Sequence, residues 1–312
     1  MTEFVVLPAG TELTIEDAIR LAAAAFDAHE LTFGHGTDDA VSEASWLVQF
    51  ALGRSPLDAP DYRQVLSASE IEQCNKVLLR RIRERLPAAY ITGTTWFAGL
   101  PFRADQRALV PRSPLAEFIV GDFFGLVDVS GIKRVLDLCT GGGCIAIACA
   151  AVLPHALVDA SDLSADALAL AALNVADHQL QDRVRLIQCG LFDEVDGPYE
   201  LIISNPPYVD QSDIDAMGAE FSHEPLMGLA AGEDGLDLVR EMLFFAPEYL
   251  SDNGLLVVEV GNSAAAVERV YPNVPFEWLE FVSGGTGVFI VDRPTLLQHR
   301  DELKAAREKS PL

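Results

Sequence analysis

Along the chain the hydrophobic pattern changes near residue 115, from long helix-like segments to short apolar runs that alternate with helices. The earlier part reads as helical up to about residue 90. Thr14-Ile-Glu-Asp17 and Ser67-Ala-Ser-Glu70 each place a hydroxyl cap and an acid three residues apart, as helix starts do. The first opens an Ala-rich helix through about residue 29. A second helix is expected from about Asp38 to Gly53, and a third over residues 69–86, ending before Pro87. The aromatic, Gly-punctuated stretch Trp96-Phe-Ala-Gly-Leu-Pro-Phe102 reads as a β-hairpin linker that ends at Pro111-Arg-Ser-Pro114.

Beyond it, strand-like runs at residues 134–138, 156–160, 184–188, 200–204 and 255–259 alternate with helical segments. Alternation of this kind predicts a parallel sheet wound on both faces. Two further runs, residues 276–281 and 287–292, have no helix between them and predict a terminal antiparallel pair. From Pro294 onward the pattern is that of a charged tail helix.

A length of 312 residues accommodates two domains, or one large domain with an appendage. The longest apolar stretches, such as residues 21–26, are too short to cross a membrane. The start, Met1-Thr-Glu-Phe-Val5, lacks the basic flank of a secretory signal, so a cytoplasmic location is expected. The five cysteines, Cys74, Cys139, Cys144, Cys149 and Cys189, form no C-x-x-C pair and read as reduced and structural. The six histidines show no metal-ligand spacing. A formal charge of −25 would repel a phosphate backbone and disfavours a nucleic-acid substrate, while it suits either a basic protein partner or plain solubility. The densest basic run, Lys76 to Arg85 with Arg80, Arg81 and Arg83, suits the solvated face of a helix.

Chemistry concentrates in two places. The run at residues 199–204 ends in Asn205-Pro206-Pro207-Tyr208. Two prolines cannot donate to a sheet ladder and force an extended exit from the strand. The carbonyls there face the C-terminal end of the strand, where open α/β sheets hold ligands. With the Asn205 side chain they make a pair of acceptors suited to an NH2 group; a stiff turn with an Asx-type bond is the plainer alternative. The first strand ends Asp137-Leu-Cys139-Thr140-Gly141-Gly142-Gly143 and a helix follows at once. Glycines let the backbone turn sharply and approach a ligand. Asp162, after the second strand, suits a carboxylate accepting both ribose hydroxyls of an adenosine. The spacing is not G-x-G-x-x-G, and an acid at Asp137, inside the turn, would repel a pyrophosphate. It suits a cationic ligand such as S-adenosyl-L-methionine, with a capping or turn role for Asp137 as the plainer alternative.

Ala89-Tyr-Ile-Thr-Gly93, Trp96-Phe-Ala-Gly99, Leu136-Asp-Leu-Cys-Thr-Gly-Gly-Gly143 and Asn205-Pro-Pro-Tyr208 together resemble the HemK-like protein N(5)-glutamine methyltransferases over nearly the whole chain. The resemblance implies a seven-stranded, Rossmann-like class I S-adenosylmethionine-dependent methyltransferase sheet of α/β class. It implies an N-terminal helical substrate-recognition domain at residues 1–92, a hairpin linker at 93–114 and a methyltransferase domain at 115–312. Asp137, Cys139, Thr140, Gly141, Gly142, Gly143, Asp162 and Asn205 would hold the cofactor, and Asn205, Pro206, Pro207 and Tyr208 the substrate amide. Where the family carries Ser-Asp after its third strand this chain has Cys189-Gly190-Leu191-Phe192, so Gly190 backbone and Leu191 packing would replace an adenine-contacting acid. Gly34-His-Gly-Thr-Asp38, Val110-Pro-Arg-Ser-Pro114, His223-Glu-Pro225 and Val260-Gly-Asn-Ser263 resemble the branch that modifies large-subunit ribosomal protein three. A release-factor glutamine methyltransferase is the alternative. More distant ones are an adenine amino-methyltransferase acting on nucleic acid and a non-catalytic ribosome-assembly module.

Overall fold

The computed structural model of the chain describes residues 5–55 and 60–309; residues 1–4, which carry most of the expected signal-free start, lie outside them. The described residues form two compact units. One holds the residues up to Thr95 together with Ala104–Gln106 and Gly218–Glu224. The other holds Trp96–Arg103, Arg107–Met217 and the described residues from Pro225 onward.

The first unit contains α1 (Ile15–Ala28), α2 (Ala40–Ala51), α3 (Ala68–Glu84) and α4 (Ala88–Thr92). Thr14 and Ser67 form complete capping boxes with Asp17 and Glu70, as the sequence predicts. Asp39 rather than Asp38 caps α2, its carboxylate accepting from the amides of Val41 and Ser42. One expectation fails here. Arg81 does not lie on a solvated face: it is fully buried and ion-pairs with Glu43 (2.6 Å) and Glu220 (3.1 Å). Helical spacing puts Arg81 on the same stripe as the buried Leu78 and Ile82, so the charge turns inward and needs partners.

Next come β1 (Thr94–Phe97) and β2 (Leu100–Arg103), which pair as a two-stranded sheet. The second unit continues with α5 (Leu115–Val120), β3 (Arg134–Leu138), α6 (Cys144–Val152), β4 (Leu157–Asp162), α7 (Ala165–Asp177), β5 (Val184–Gln188) and β6 (Tyr199–Ser204). After these follow α8 (Gln211–Ala216), α9 (Asp237–Tyr249), β7 (Leu250–Glu259), α10 (Ala264–Val270), β8 (Glu277–Trp278), β9 (Val288–Asp292), α11 (Arg293–Gln298) and α12 (Arg300–Lys309). The seven strands lie in the order β5-β4-β3-β6-β7-β9-β8. Five are parallel, and β9 runs antiparallel to both its neighbours.

Two hydrophobic clusters cover the faces of the sheet. Val135, Val158, Leu201, Ile203 and Val257 pack with α5 and α6 on one side. Leu136, Leu138, Ile202, Leu256 and Val258 pack with α9 and α12 on the other. Adjacent strand residues go to opposite clusters, as the two-residue period of a strand requires. The run at 276–281 contributes only Glu277 and Trp278 as strand, because the amides of Val282 and Ser283 donate to the Glu117 carboxylate, 2.8 Å each, and the chain turns away. The tail is two helices, not one, broken at His299.

Candidate active site

Register brings the C-terminal ends of four parallel strands together: Leu138 of β3 stands beside Ser161 of β4 and Ser204 of β6, and Asp162 beside Gln188 of β5. The Ser204 hydroxyl donates to the Leu138 carbonyl at 2.7 Å and fastens the β6 exit to the β3 turn. Among the sequence-predicted residues, those at 139–143, 162, 190–191 and 205–208 all follow or end these strands.

Asp137 departs from expectation. It is not in the turn but inside β3, still paired with Ala160 and Ile203, and it is fully buried. The strand period puts it on the side of Val135, where α6 packs. Its Oδ2 accepts from Thr140 Oγ1 at 2.5 Å and from the Ala146 amide of α6 at 3.0 Å. Its Oδ1 has no hydrogen-bond partner among the described residues. Burial raises its pKa to about 7. Asp137 thus ties the turn to the helix behind it through Oδ2.

The turn itself is left-handed at Cys139 (φ 58°), Gly141 (φ 55°) and Gly143 (φ 84°). Cys139 adopts a backbone conformation that costs a non-glycine residue about 1 kcal/mol or more. Thr140 closes back on β4 through its amide, which donates to the Ser161 carbonyl at 3.0 Å. A side chain at Gly143 would press on Ala171, 3.2 Å away. Gly141 is different: the nearest atom to a Cβ there, Ala108 Cβ, is 3.8 Å off, and the residue is partly exposed. Its face is an open cradle that a side chain would fill. Asp162 ends β4 with one oxygen accepting from the Gly141 amide and the other from the Ser164 amide, both at 2.8 Å. It remains partly exposed, and burial raises its pKa. A carboxylate and an open glycine cradle side by side suit a ribose hydroxyl pair and a close-lying cationic chain, the chemistry of an adenosyl cofactor.

After β5, the Gly190 and Leu191 backbone folds tightly, with Leu191 left-handed at φ 46°. A Cβ on Gly190 would lie 3.2 Å from the Asp193 carboxylate. An acid three residues on therefore fills the space beside Gly190, a placement that only the folded loop reveals.

Asn205 and Tyr208 are partly exposed, while Pro206 and Pro207 between them are buried. Tyr208 is held at three points. Its hydroxyl donates to Glu259 Oε1 at 3.0 Å, and its carbonyl accepts from Ser263 Oγ at 2.8 Å. Its ring lies against Gly261, where an added Cβ would stand 2.6 Å from Cε2. Glu259, the last residue of β7, also accepts from the Ser113 hydroxyl. Burial raises the Glu259 carboxyl to about pH 7 against the pull of Ser113, Tyr208 and Arg112. Sequence reading missed Glu259 as a site residue; its only signal is the acid that closes an apolar strand directly before Val260-Gly-Asn-Ser263.

Residues 17–93 match the family model described as PrmC N-terminal domain, and residues 126–232 the one described as Methyltransferase small domain. A ribosomal protein uL3 glutamine methyltransferase of Xanthomonas campestris pv. campestris is 46% identical over 299 residues, 94% of this chain and 97% of the relative. Its namesake from Xylella fastidiosa is 46% identical over 294 residues, 94% of each chain. The chain belongs to this family of protein glutamine methyltransferases. A methyltransferase crystal structure from Pyrococcus furiosus is 18% identical at a TM-score of 0.46, covering 62% of this chain and 89% of that one. The sheet order and the helical first unit are those of a class I methyltransferase carrying an N-terminal helical region, as the resemblance implies.

Proposed function

We propose that this chain methylates the side-chain amide nitrogen of a glutamine in ribosomal protein uL3, with S-adenosyl-L-methionine as methyl donor. The observation that carries this reading is the Asn205–Tyr208 segment, placed at the end of β6 and fastened by Ser204 to the glycine turn of β3. The uL3 methyltransferase names of two relatives that match nearly end to end favour uL3 over a release factor.

The cradle at Gly141 and Gly142, the Asp162 carboxylate and the Gly190–Leu191 backbone would hold the cofactor, which supplies an electrophilic methyl group on a sulfonium. Asp137 and Thr140 keep the cradle in shape. An amide nitrogen is a poor nucleophile because its lone pair is delocalised into the carbonyl. Asn205 Oδ1 and the Pro206 carbonyl each accept one amide N–H, which orients the nitrogen lone pair and favours its pyramidalisation. The gain comes from orientation and from acceptors preorganised where positive charge develops. The alkylated amide is strongly acidic, so its proton leaves to water and no general base is needed. The helical first unit contributes recognition of the protein substrate.

The test is labelled-methyl transfer to purified uL3, followed by peptide mass analysis. One glutamine peptide gains one methyl group. Asn205→Ala slows transfer roughly 100- to 1,000-fold, while donor affinity by calorimetry changes little. Transfer by that variant at near the wild-type rate would show that Asn205 does not clamp the amide.

A further inference from the structure

The clamp tyrosine is held by a carboxylate that no other part of the site uses. Glu259 is only 4% exposed, a costly place for an acid unless both oxygens are occupied. Both are: Oε1 accepts from the Tyr208 hydroxyl and Oε2 from the Ser113 hydroxyl. Ser113 is itself pinned, its oxygen accepting from the Leu115 amide at 3.1 Å at the start of α5. On its other side Tyr208 meets the Gly261 backbone and the Ser263 hydroxyl. Gly261 takes φ 45°, and Val260 and Gly261 both donate to the Gly287 carbonyl, at 2.7 and 3.2 Å, so this wall is fixed to the start of β9. Two segments that the sequence singles out, residues 110–114 and 260–263, thus both reach Tyr208, the first through Glu259 and the second directly.

We propose that Glu259 is the positioning residue of the amide clamp, joining Ser113 to Tyr208 so that the 110–114 segment sets the orientation of the Asn205–Tyr208 acceptors. The proposal rests on the glutamine-methylation reading. Tyr208 lies two residues beyond Pro206, across Pro207, whose ring fixes its own φ and restricts the residue before it. Fixing its ring and hydroxyl therefore fixes the carbonyl that accepts the amide. A hydroxyl on residue 113 is needed to complete this path, which makes Ser113 a second positioning residue acting through Glu259.

The experiment measures kcat and KM for uL3 and donor affinity by calorimetry in wild type, Glu259→Leu, Glu259→Gln, Tyr208→Phe, Ser113→Ala and the Glu259→Leu/Tyr208→Phe pair. Wild-type transfer to a glutamine is the control for the underlying reading; without it that reading fails, whatever the variants do. Glu259→Leu is expected to lower kcat about tenfold to a hundredfold with donor affinity unchanged. Glu259→Gln, whose amide can still accept from Tyr208 and donate to Ser113, is expected to recover to within about threefold of wild type. The double variant should be no slower than the worse single one, because both remove one connection. Ser113→Ala should lower kcat in the same direction as Glu259→Leu while keeping the fold, so that the path is tested even where leucine at 259 unfolds the chain. Losses that multiply in the double variant, a Gln variant as slow as the Leu variant, or a Ser113→Ala enzyme of wild-type kcat would each overturn the proposal.

Discussion

A buried carboxylate is stable only in a protonation state its surroundings can bear, and Asp137 has two donors on one oxygen and none on the other. Its pKa rises from an ordinary 3.8 to about 7 in the fold. The native state then binds a proton that the unfolded chain has released, so the stabilisation is full below about pH 4 and is lost as pH rises through 7. Asp137→Asn removes this dependence. Thermal unfolding followed from pH 4 to 8 should fall less steeply for the variant than for wild type; parallel curves would show that Asp137 is ionised throughout. At this scale Asn205 and Asp162 were legible, since prolines after a strand and an acid after the next strand speak through local chemistry. Asp137 was legible as a residue but not in position, because strand register decides on which side of the turn it falls. Glu259 and Asp193 were not legible at all, since their neighbours come from distant or folded-back chain.

Helices announced themselves through their caps. Both Thr14 and Ser67 sit where sequence spacing puts them, because a capping box is a contact between residues three apart. The strands of the parallel part were readable for a similar reason, as each is a short, mostly apolar run that alternates with a helical segment. The basic stretch of α3 misled because charge alone does not say which way a helix faces. Arg81 links α2, α3 and the 218–224 segment through Glu43 and Glu220, and it also donates to the Thr32 carbonyl at 2.9 Å. Burial works against the Glu43 charge and raises its pKa, while the amide of Thr32 and Arg81 hold Glu220 low. Arg81→Met strands two buried acids and should cost about 3–5 kcal/mol, read from urea unfolding. A cost under about 1 kcal/mol would mean that the acids are already neutral or hydrated.

For the whole molecule, 47 acidic against 22 basic residues leave a net charge of −25. Attraction of a basic protein substrate to such a surface weakens as the Debye length falls from about 30 Å at 0.01 M salt to about 8 Å at 0.15 M. Over that range kcat/KM for uL3 should drop by about tenfold or more, whereas kcat at saturation stays level. A salt-independent kcat/KM would remove charge steering from the account. The sequence by itself determined the class of fold, the parallel character of the sheet, the glycine turn and the Asn205–Tyr208 exit from a strand, because each depends on spacing within a few residues or on a repeating pattern. Only the tertiary structure decided that Asp137 is sealed behind the turn, that residues 218–224 join the helical unit and that Glu259 connects Ser113 to Tyr208. These are pairings between residues up to 146 positions apart, and which of many buried polar groups find each other is settled by packing, not by spacing.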